Sequence, residues 1–317
     1  EYVENRDEVF CSGLFLSARW MVISQLDRLG IQMIVLPDRD SAEYCAADLY
    51  HLIEGDRVYF LPDSGKNLER SNYKSSLGVQ RTSAIGKILE YKEGEQMIIV
   101  TYPSALEEII PEKGKISGSL LKLAAGDEKP YEEIKEILFA NGFERVDFVS
   151  EPGQFAVRGA LIDIFSYSFN NPFRISFFGD EIESINIFDA NTQLSIEKVD
   201  FVDIYPDLSS SEDSDGAMVT DILPESTLVW MDSSDMYKDK SFFSELQKFK
   251  NIYMELPLSR QEEEVIKFNI SPQPVFNKNF ELLTEDIRTK IENGYRVRIY
   301  GEKQSQLDRL KSILSQN

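Results

Sequence analysis

The sequence predicts an α/β protein in three segments: a parallel-sheet lobe over residues 1–112, an antiparallel hairpin-rich α+β domain over 113–205, and a further α/β lobe over 206–317. Three observations predict it. Short apolar runs alternate with helical patterns up to about residue 110; the middle third becomes strands joined by tight turns; and strand–helix alternation returns after the serine- and acid-rich stretch PDLSSSEDSDGAM. Strands interleaved with helices of this length imply a parallel sheet with right-handed crossovers. Strands joined by short turns imply an antiparallel one.

In the first lobe, VFCSGL is followed by SARWMVISQLDRLG, IQMIVLP by DSAEYCAADLYHLIEG, and RVYFLP by the helical SSLGVQRTSAIGKILEYKEG, before QMIIVTYPSALEEIIP closes the series. Several of these strands are apolar throughout rather than alternating, as expected where both faces of a sheet are covered. The second segment opens on one helix, PYEEIKEILFANG, with proline at its start and Asn-Gly at its stop. FERVDFVS, GQFAVRG, ALIDIFSYS, PFRISFFGDEIESINIFD and SIEKVDFVDIYP are its strands, with Gly179-Asp180 at the bend of a hairpin. The polar stretch after Tyr205 marks a boundary. Beyond it STLVWMD, NIYMELP and YRVRIYG read as strands, with helices at DKSFFSELQKFK, NKNFELLTEDIRTKIENG and KQSQLDRLKSILSQ.

The charge narrows the function. Fifty-five acidic residues stand against 34 basic ones, a net charge of -21, whereas phosphate-driven DNA binding needs clustered Lys and Arg. Direct DNA binding is not expected of this chain. Cys11 and Cys45 lack the spacing of a zinc site and read as buried free thiols. The single histidine, His51, has no nucleophile beside it and reads as a helix-end residue. The acidic clusters at Glu107-Glu108, Glu212-Asp213 and Glu262 to Glu264 read as solvated faces, since their spacing converges no ligands on a metal. Trp230 and the pair Phe242-Phe243 read as core. The opening EYVENRDEVF is polar and acidic, without the plan of a signal peptide, and no apolar run approaches the length of a membrane span. A soluble, cytoplasmic protein is expected.

VFCSGLFLSARWMVISQL has the layout of a P-loop, an apolar strand, a short glycine-bearing loop and a helix. A working phosphate cradle needs GxxxxGK(S/T), because the glycines let backbone N–H groups close on phosphate and the lysine neutralises it. With Ser17 at the hydroxyl position, Leu16 falls where the lysine belongs, Phe15 at the second glycine and Phe10 at the first, while Gly13 lies between them. The expectation is a degenerate site, filled by Leu and Phe side chains, that binds neither nucleotide nor metal. The chain needs no cofactor on this reading.

Residues 151–200, EPGQFAVRGALIDIFSYSFNNPFRISFFGDEIESINIFDANTQLSIEKVD, carry RG(A/G)xxDIF, FFGDEIESI and FDxxTQ in that order. They resemble the hairpin-rich domain shared by the transcription-repair coupling factor Mfd and the excision-repair helicase subunit UvrB. SSLGVQRTSAIGKIL and MIIVTYPSAL resemble the helicase-like lobe that precedes it in both, and QPVFNKNFELLTEDI followed by YRVRIYG resembles the coupling factor further on. UvrB resemblance would require the P-loop lysine and a long aromatic hairpin. Here Leu16 stands in place of the lysine, and the corresponding stretch PDSGKNLERSNYKSSLG is short, with Tyr73 as its one aromatic.

The resemblance therefore implies a non-catalytic adaptor module of transcription-coupled nucleotide excision repair, which recruits UvrA to stalled RNA polymerase. It implies a longer ATP-dependent translocase around it, with RNA polymerase and DNA contacted through other parts. The family's UvrA-contact positions fall on Arg158, Arg174 and Phe178. Arg174 and Phe178 are four apart on one strand and so face the same way. An arginine on a strand face can equally pair within the domain, with Asp163, Asp180 or Glu181. Two further readings stay open: a UvrB-type ATP-dependent helicase fragment, and an internal clamp in which Arg158 and Arg174 meet an acidic surface of the motor or carboxy-terminal region of the same protein.

Overall fold

The computed structural model describes residues 7–26, 30–65, 71–209, 211, 216–255, 265–270, 274–299 and 303–314. By contact it divides into a unit over Glu1–Ile270 and another over Ser271–Asn317. The first unit begins with the expected alternation: β1 (Glu8–Ser12), α1 (Ala18–Gln25), β2 (Ile31–Val35), α2 (Arg39–Leu52), β3 (Val58–Phe60), α3 (Ser71–Glu90), β4 (Met97–Thr101) and α4 (Pro103–Glu107). Every residue of β2 and β4 is buried, the burial that their unbroken apolar runs require. In α2 the Asp38 side chain caps the helix by accepting from the Ser41 N–H at 2.8 Å. Ala42, Cys45, Ala46 and Leu49 then fall on one buried stripe.

The hairpin-rich segment follows as α5 (Lys113–Ser119), β5 (Leu121–Ala124), α6 (Tyr131–Ala140), β6 (Glu144–Arg145), β7 (Gln154–Arg158), β8 (Leu161–Phe165), β9 (Phe173–Phe178), β10 (Glu181–Phe188), β11 (Ser195–Val199) and β12 (Phe201–Ile204). Six of these strands form one sheet in the order β11-β10-β9-β8-β7-β6, antiparallel except for the β6–β7 pair; β12 pairs with β5. Gly179, at φ +65°, makes the β9–β10 bend, a left-handed position that glycine adopts without a Cβ clash. One face of the sheet holds Phe155, Ile162, Ile164, Phe173, Ile175 and Phe177 against Ile134 and Leu138 of α6.

The third segment departs from the expected separate lobe. Its strands β13 (Leu228–Met231), β14 (Lys250–Tyr253) and β15 (Val265–Lys267), with the one-turn helix α7 (Phe243–Leu246) between the first two, join the first lobe in one seven-stranded parallel sheet, order β15-β1-β14-β13-β2-β4-β3. β13 and β14 lie between β1 and β2. All four residues of β13 are buried, and its Trp230 Nε1 donates to Gln32 Oε1 of β2 at 3.0 Å. The physical reason is that β13 is apolar on both faces and needs strands on both edges as well. The polar stretch after Tyr205 is pinned where it is described: Leu208 and Ser209 are buried, the Leu208 N–H donates to Thr82 Oγ1, and the Ser209 carbonyl accepts from Arg81.

The second unit holds α8 (Phe280–Glu292) and α9 (Gln304–Leu314), where the apolar periodicity placed helices. The strand expected at YRVRIYG is not formed over residues 295–299, and the rest of that stretch lies outside the described residues. Among the described residues no helix is long and apolar enough to cross a membrane.

Candidate functional site

The loop after β1 is closed by packing. Phe10 is buried and stacks on Tyr253 with ring centroids 4.9 Å apart. Gly13 has φ +76°, and a Cβ there would lie 2.1 Å from the carbonyl oxygen of Phe268, so the glycine is required by a crossing backbone. Leu14 is buried, but Phe15 and Leu16 are exposed, Leu16 in a left-handed conformation at φ 49°. The Phe and Leu side chains that pack here are Phe10 and Leu14, not Phe15 and Leu16, and the Phe268 backbone crosses the loop at Gly13. Ser17 Oγ donates to Asp48 Oδ2 at 2.9 Å. Arg19 reaches Asp232 at 2.5 Å and Glu255 at 2.9 Å, and its Nε donates to the Leu14 carbonyl. Burial raises the Asp232 carboxyl above its ordinary range against the pull of Arg19, and Glu255 adds to the rise.

The thiols of Cys11 and Cys45 are free and buried, and burial pushes Cys11 up to about 11 and raises Cys45 as well. His51 is exposed in the last turn of α2. Among the described residues no group of three or more His, Cys, Asp or Glu side chains could hold a metal ion. Glu108 is not the solvated residue expected of it: its carboxylate accepts from the Ser64 N–H at 2.7 Å and from Ser64 Oγ at 2.8 Å. Glu212-Asp213 and Glu262 to Glu264 lie outside the described residues, as do residues 66–70 of the stretch compared with the aromatic hairpin. Trp230, Phe242 and Phe243 are core.

The other face of the six-stranded sheet is built around a single acid. Asp163, in β8, is 1% exposed and lies opposite Arg174 of β9 and Ala156 of β7. Arg174 meets it in a bidentate pair, Nε to Oδ1 at 2.7 Å and Nη2 to Oδ2 at 2.9 Å, and Arg158, at the end of β7, donates its Nη2 to Oδ2 as well. Of the three acids the sequence offered as internal partners, Asp163 takes both arginines. A methyl is all that Ala156 contributes beside it, which leaves the space to two guanidinium groups. Hydrogen bonding to Asp163 raises the Arg174 pKa, with burial opposing the rise. The Arg174 guanidinium lies 4.3 Å from the Phe188 ring centroid and that of Arg158 lies 4.9 Å from Phe148.

Two further acceptors for Arg174, both on Gln193, come from the FDANTQ turn. Gln193, at φ 60°, accepts from Arg174 through Oε1 at 3.1 Å and, at the limit of bonding, through its carbonyl at 3.5 Å. Asp189 holds the turn by accepting from the Asn191 and Thr192 N–H groups and from Thr192 Oγ1. Those backbone and hydroxyl donors of Thr192 keep its carboxyl below the usual range. The motif signalled this turn, but nothing in the sequence said that Gln193 would reach across to β9. Phe178, on the same face as Arg174, is 80% exposed at the β9–β10 bend, whereas Phe177 is buried edge-to-face against Tyr131. The structure therefore brings Arg158 and Arg174 together on Asp163 and sets Phe178 out on the same face, one strand position from the Gly179 bend.

Residues 121–209 match the family model of the UvrB interaction domain. Among curated proteins, the chain is similar to the transcription-repair-coupling factor of Mycobacterium tuberculosis, 31% identical over 191 residues, which is 58% of this chain and 15% of that protein. It is 30% identical over 206 residues to the transcription-repair-coupling factor of Bacillus subtilis, covering 64% of this chain and 17% of the relative. That of Escherichia coli is 31% identical over 110 residues, 35% of this chain and 10% of the relative. The chain thus spans under a fifth of the length of the curated relatives it matches.

Proposed function

We infer, from the kinship of this chain with the amino-terminal, UvrB-like module of the transcription-repair-coupling factors, that it is a non-catalytic adaptor that recruits UvrA to stalled RNA polymerase. On this reading the surrounding protein is an ATP-dependent DNA translocase, and polymerase and DNA are met by other parts of it. The observation that carries the reading is the match of residues 121–209 to a domain defined by interaction, on which Phe178 is a large apolar side chain left 80% in solvent. An exposed aromatic on the same sheet face as arginines is the composition of an interface hot spot. Arg158, Arg174 and Phe178 are accordingly the proposed UvrA surface.

The loop after β1 is, on the same reading, a degenerate P-loop. No lysine is present between Phe10 and Ser17 to neutralise a triphosphate. The approach to Gly13 is taken by the Phe268 backbone, and the carboxylates of Asp232 and Glu255 are bound by Arg19. Mixing the chain with UvrA and following co-elution tests the proposal. Wild type should co-elute and Phe178→Ala should not; equal co-elution of both would remove Phe178 from the surface, and none by wild type would refute the adaptor reading.

A further inference from the structure

Resting on that reading of the surface, we infer that its two arginines divide the work: Arg158 meets a carboxylate of the partner, while Arg174 is a positioning residue, locked in place by Asp163 and Gln193. The division follows from counting donors. A guanidinium carries five N–H donors. In Arg174, Nε and Nη2 serve Asp163, Nη2 also serves Gln193 Oε1, and Nη1 leans on the Gln193 carbonyl. One of its faces lies over Phe188, which is fully buried. Little of Arg174 is left to offer a partner. In Arg158 only Nη2 is engaged, with Asp163; among the described residues its Nε and Nη1 groups donate to nothing, and its side chain keeps 35% of its exposure.

Charge supplies the chemistry of the occupant. Two guanidinium groups share one buried carboxylate, so the trio holds one positive charge over, and the open donors place that charge at Arg158. With one N–H of Nη2 given to Asp163, the second N–H of Nη2 still completes a guanidinium edge with Nε or Nη1, and such an edge can hold a carboxylate through two parallel bonds. Phe148, 4.9 Å from the Arg158 guanidinium, is itself 61% exposed, so the pair lies at the surface. Gln193 acts through Arg174, fixing the guanidinium that takes one lone-pair direction on each oxygen of Asp163; of the directions left on that acid, Arg158 takes one, on Oδ2.

Two measurements on the full chain test this. NMR exchange of the arginine Nε–H groups needs no partner: the Arg174 group should exchange at least about tenfold more slowly than that of Arg158, the factor implied by opening a charge-assisted hydrogen bond. Equal protection of the two would overturn the division. The second is UvrA capture as a function of salt. Arg158→Gln should weaken capture at least roughly thirtyfold and flatten its salt dependence, while Arg158→Lys restores the slope and part of the affinity. Gln193→Ala should weaken capture with the slope unchanged, because it loosens Arg174 and leaves the ion pair in place. If Gln193→Ala flattens the slope and Arg158→Gln does not, Arg174 makes the partner contact and the inference fails. If wild type shows no capture, the adaptor reading fails, and the exchange measurement alone decides which arginine is free.

Discussion

Phe177 and Phe178 are neighbours in β9 with opposite fates: Phe177 is 5% exposed, edge-to-face on Tyr131, and Phe178 is 80% exposed. Strand alternation puts them on opposite faces of the sheet. Phe177→Ala should cost about 3 to 5 kcal/mol of stability, the range for a buried phenylalanine. Phe178→Ala should leave the denaturant midpoint within about 0.5 kcal/mol of wild type, as for other surface changes, and abolish UvrA co-elution. Urea unfolding of the two variants beside wild type checks the first pair of outcomes; a large midpoint loss in Phe178→Ala would make it structural.

Arg174 requires a different expectation from Phe178. From the sequence, truncating Arg158, Arg174 or Phe178 should leave the fold's stability nearly unchanged. The structure alters this for Arg174, because Asp163 is buried and, among the described residues, would keep only Arg158 as an ion-pair partner. Leaving a buried charge short of its partner costs about 3 kcal/mol or more. Arg174→Ala should therefore lower the unfolding midpoint by several degrees and Arg158→Ala by much less. Calorimetry of the two variants gives the order directly, and equal losses would contradict it.

How much was legible from sequence alone depends on how local the signal is. The β9–β10 hairpin was legible because Gly179-Asp180 fixes a bend and the alternation Phe173, Ile175, Phe177 fixes a face. The same pattern set Arg174 and Phe178 on one face, four residues apart. Sheet order was not legible. β13 enters between β2 and β14 after the whole hairpin-rich segment has intervened, and no residue in LVWM says which strand it will border. Gln32 is a retrospective signal: a glutamine in a fully buried strand must find a donor or acceptor, and Trp230 of β13 provides it. Gln193 was missed for a related reason, since its partner lies 19 residues away across the sheet.

Nucleotide binding should be absent. Phe10 is stacked in the core and Gly13 is under the Phe268 backbone, so restoring a lysine by Leu16→Lys should not restore affinity. Titration of wild type and Leu16→Lys with a fluorescent ATP analogue and magnesium should show no micromolar binding in either. Tight binding by Leu16→Lys would mean that charge alone had been missing.

Arg81, fully buried in α3, ties together chain segments that are distant in sequence. Its guanidinium donates to the carbonyls of Pro62, Ala105, Glu108 and Ser209 and lies 3.6 Å from the Glu108 carboxylate. Burial lowers its pKa, with Glu108 acting against the fall. Arg81→Met has nearly the right length and none of the donors, so four carbonyls would be left unsatisfied. Each costs about 1 to 3 kcal/mol, which should make the variant too unstable to purify as a folded chain, or at the least shift its urea midpoint far below wild type. A midpoint within about 1 kcal/mol of wild type would mean that water replaces the guanidinium freely.

Asp63 gives a pH-dependent prediction. Burial works to raise its carboxyl, but bonds from Arg39 at 2.5 Å, Ser104 Oγ at 3.0 Å and the Gly65 N–H at 3.1 Å outweigh it, so the pKa is lowered from 3.8. A carboxyl that ionises more readily in the folded chain than in the unfolded one binds fewer protons when folded. Its stabilising contribution is thus fully present above the unfolded value and is lost as pH falls through the folded one. Asp63→Asn removes the charge that Arg39 meets and cannot titrate. The stability difference between wild type and Asp63→Asn should therefore stay constant from about pH 7 down to about pH 4, then close as the solution is made more acidic. Taking the difference cancels the titration of every other acid common to both chains. Urea midpoints measured across that range give the curve; a difference that persists unchanged to about pH 2 would show that Asp63 contributes by packing and hydrogen-bond geometry, which the asparagine loses at every pH, and not by its charge.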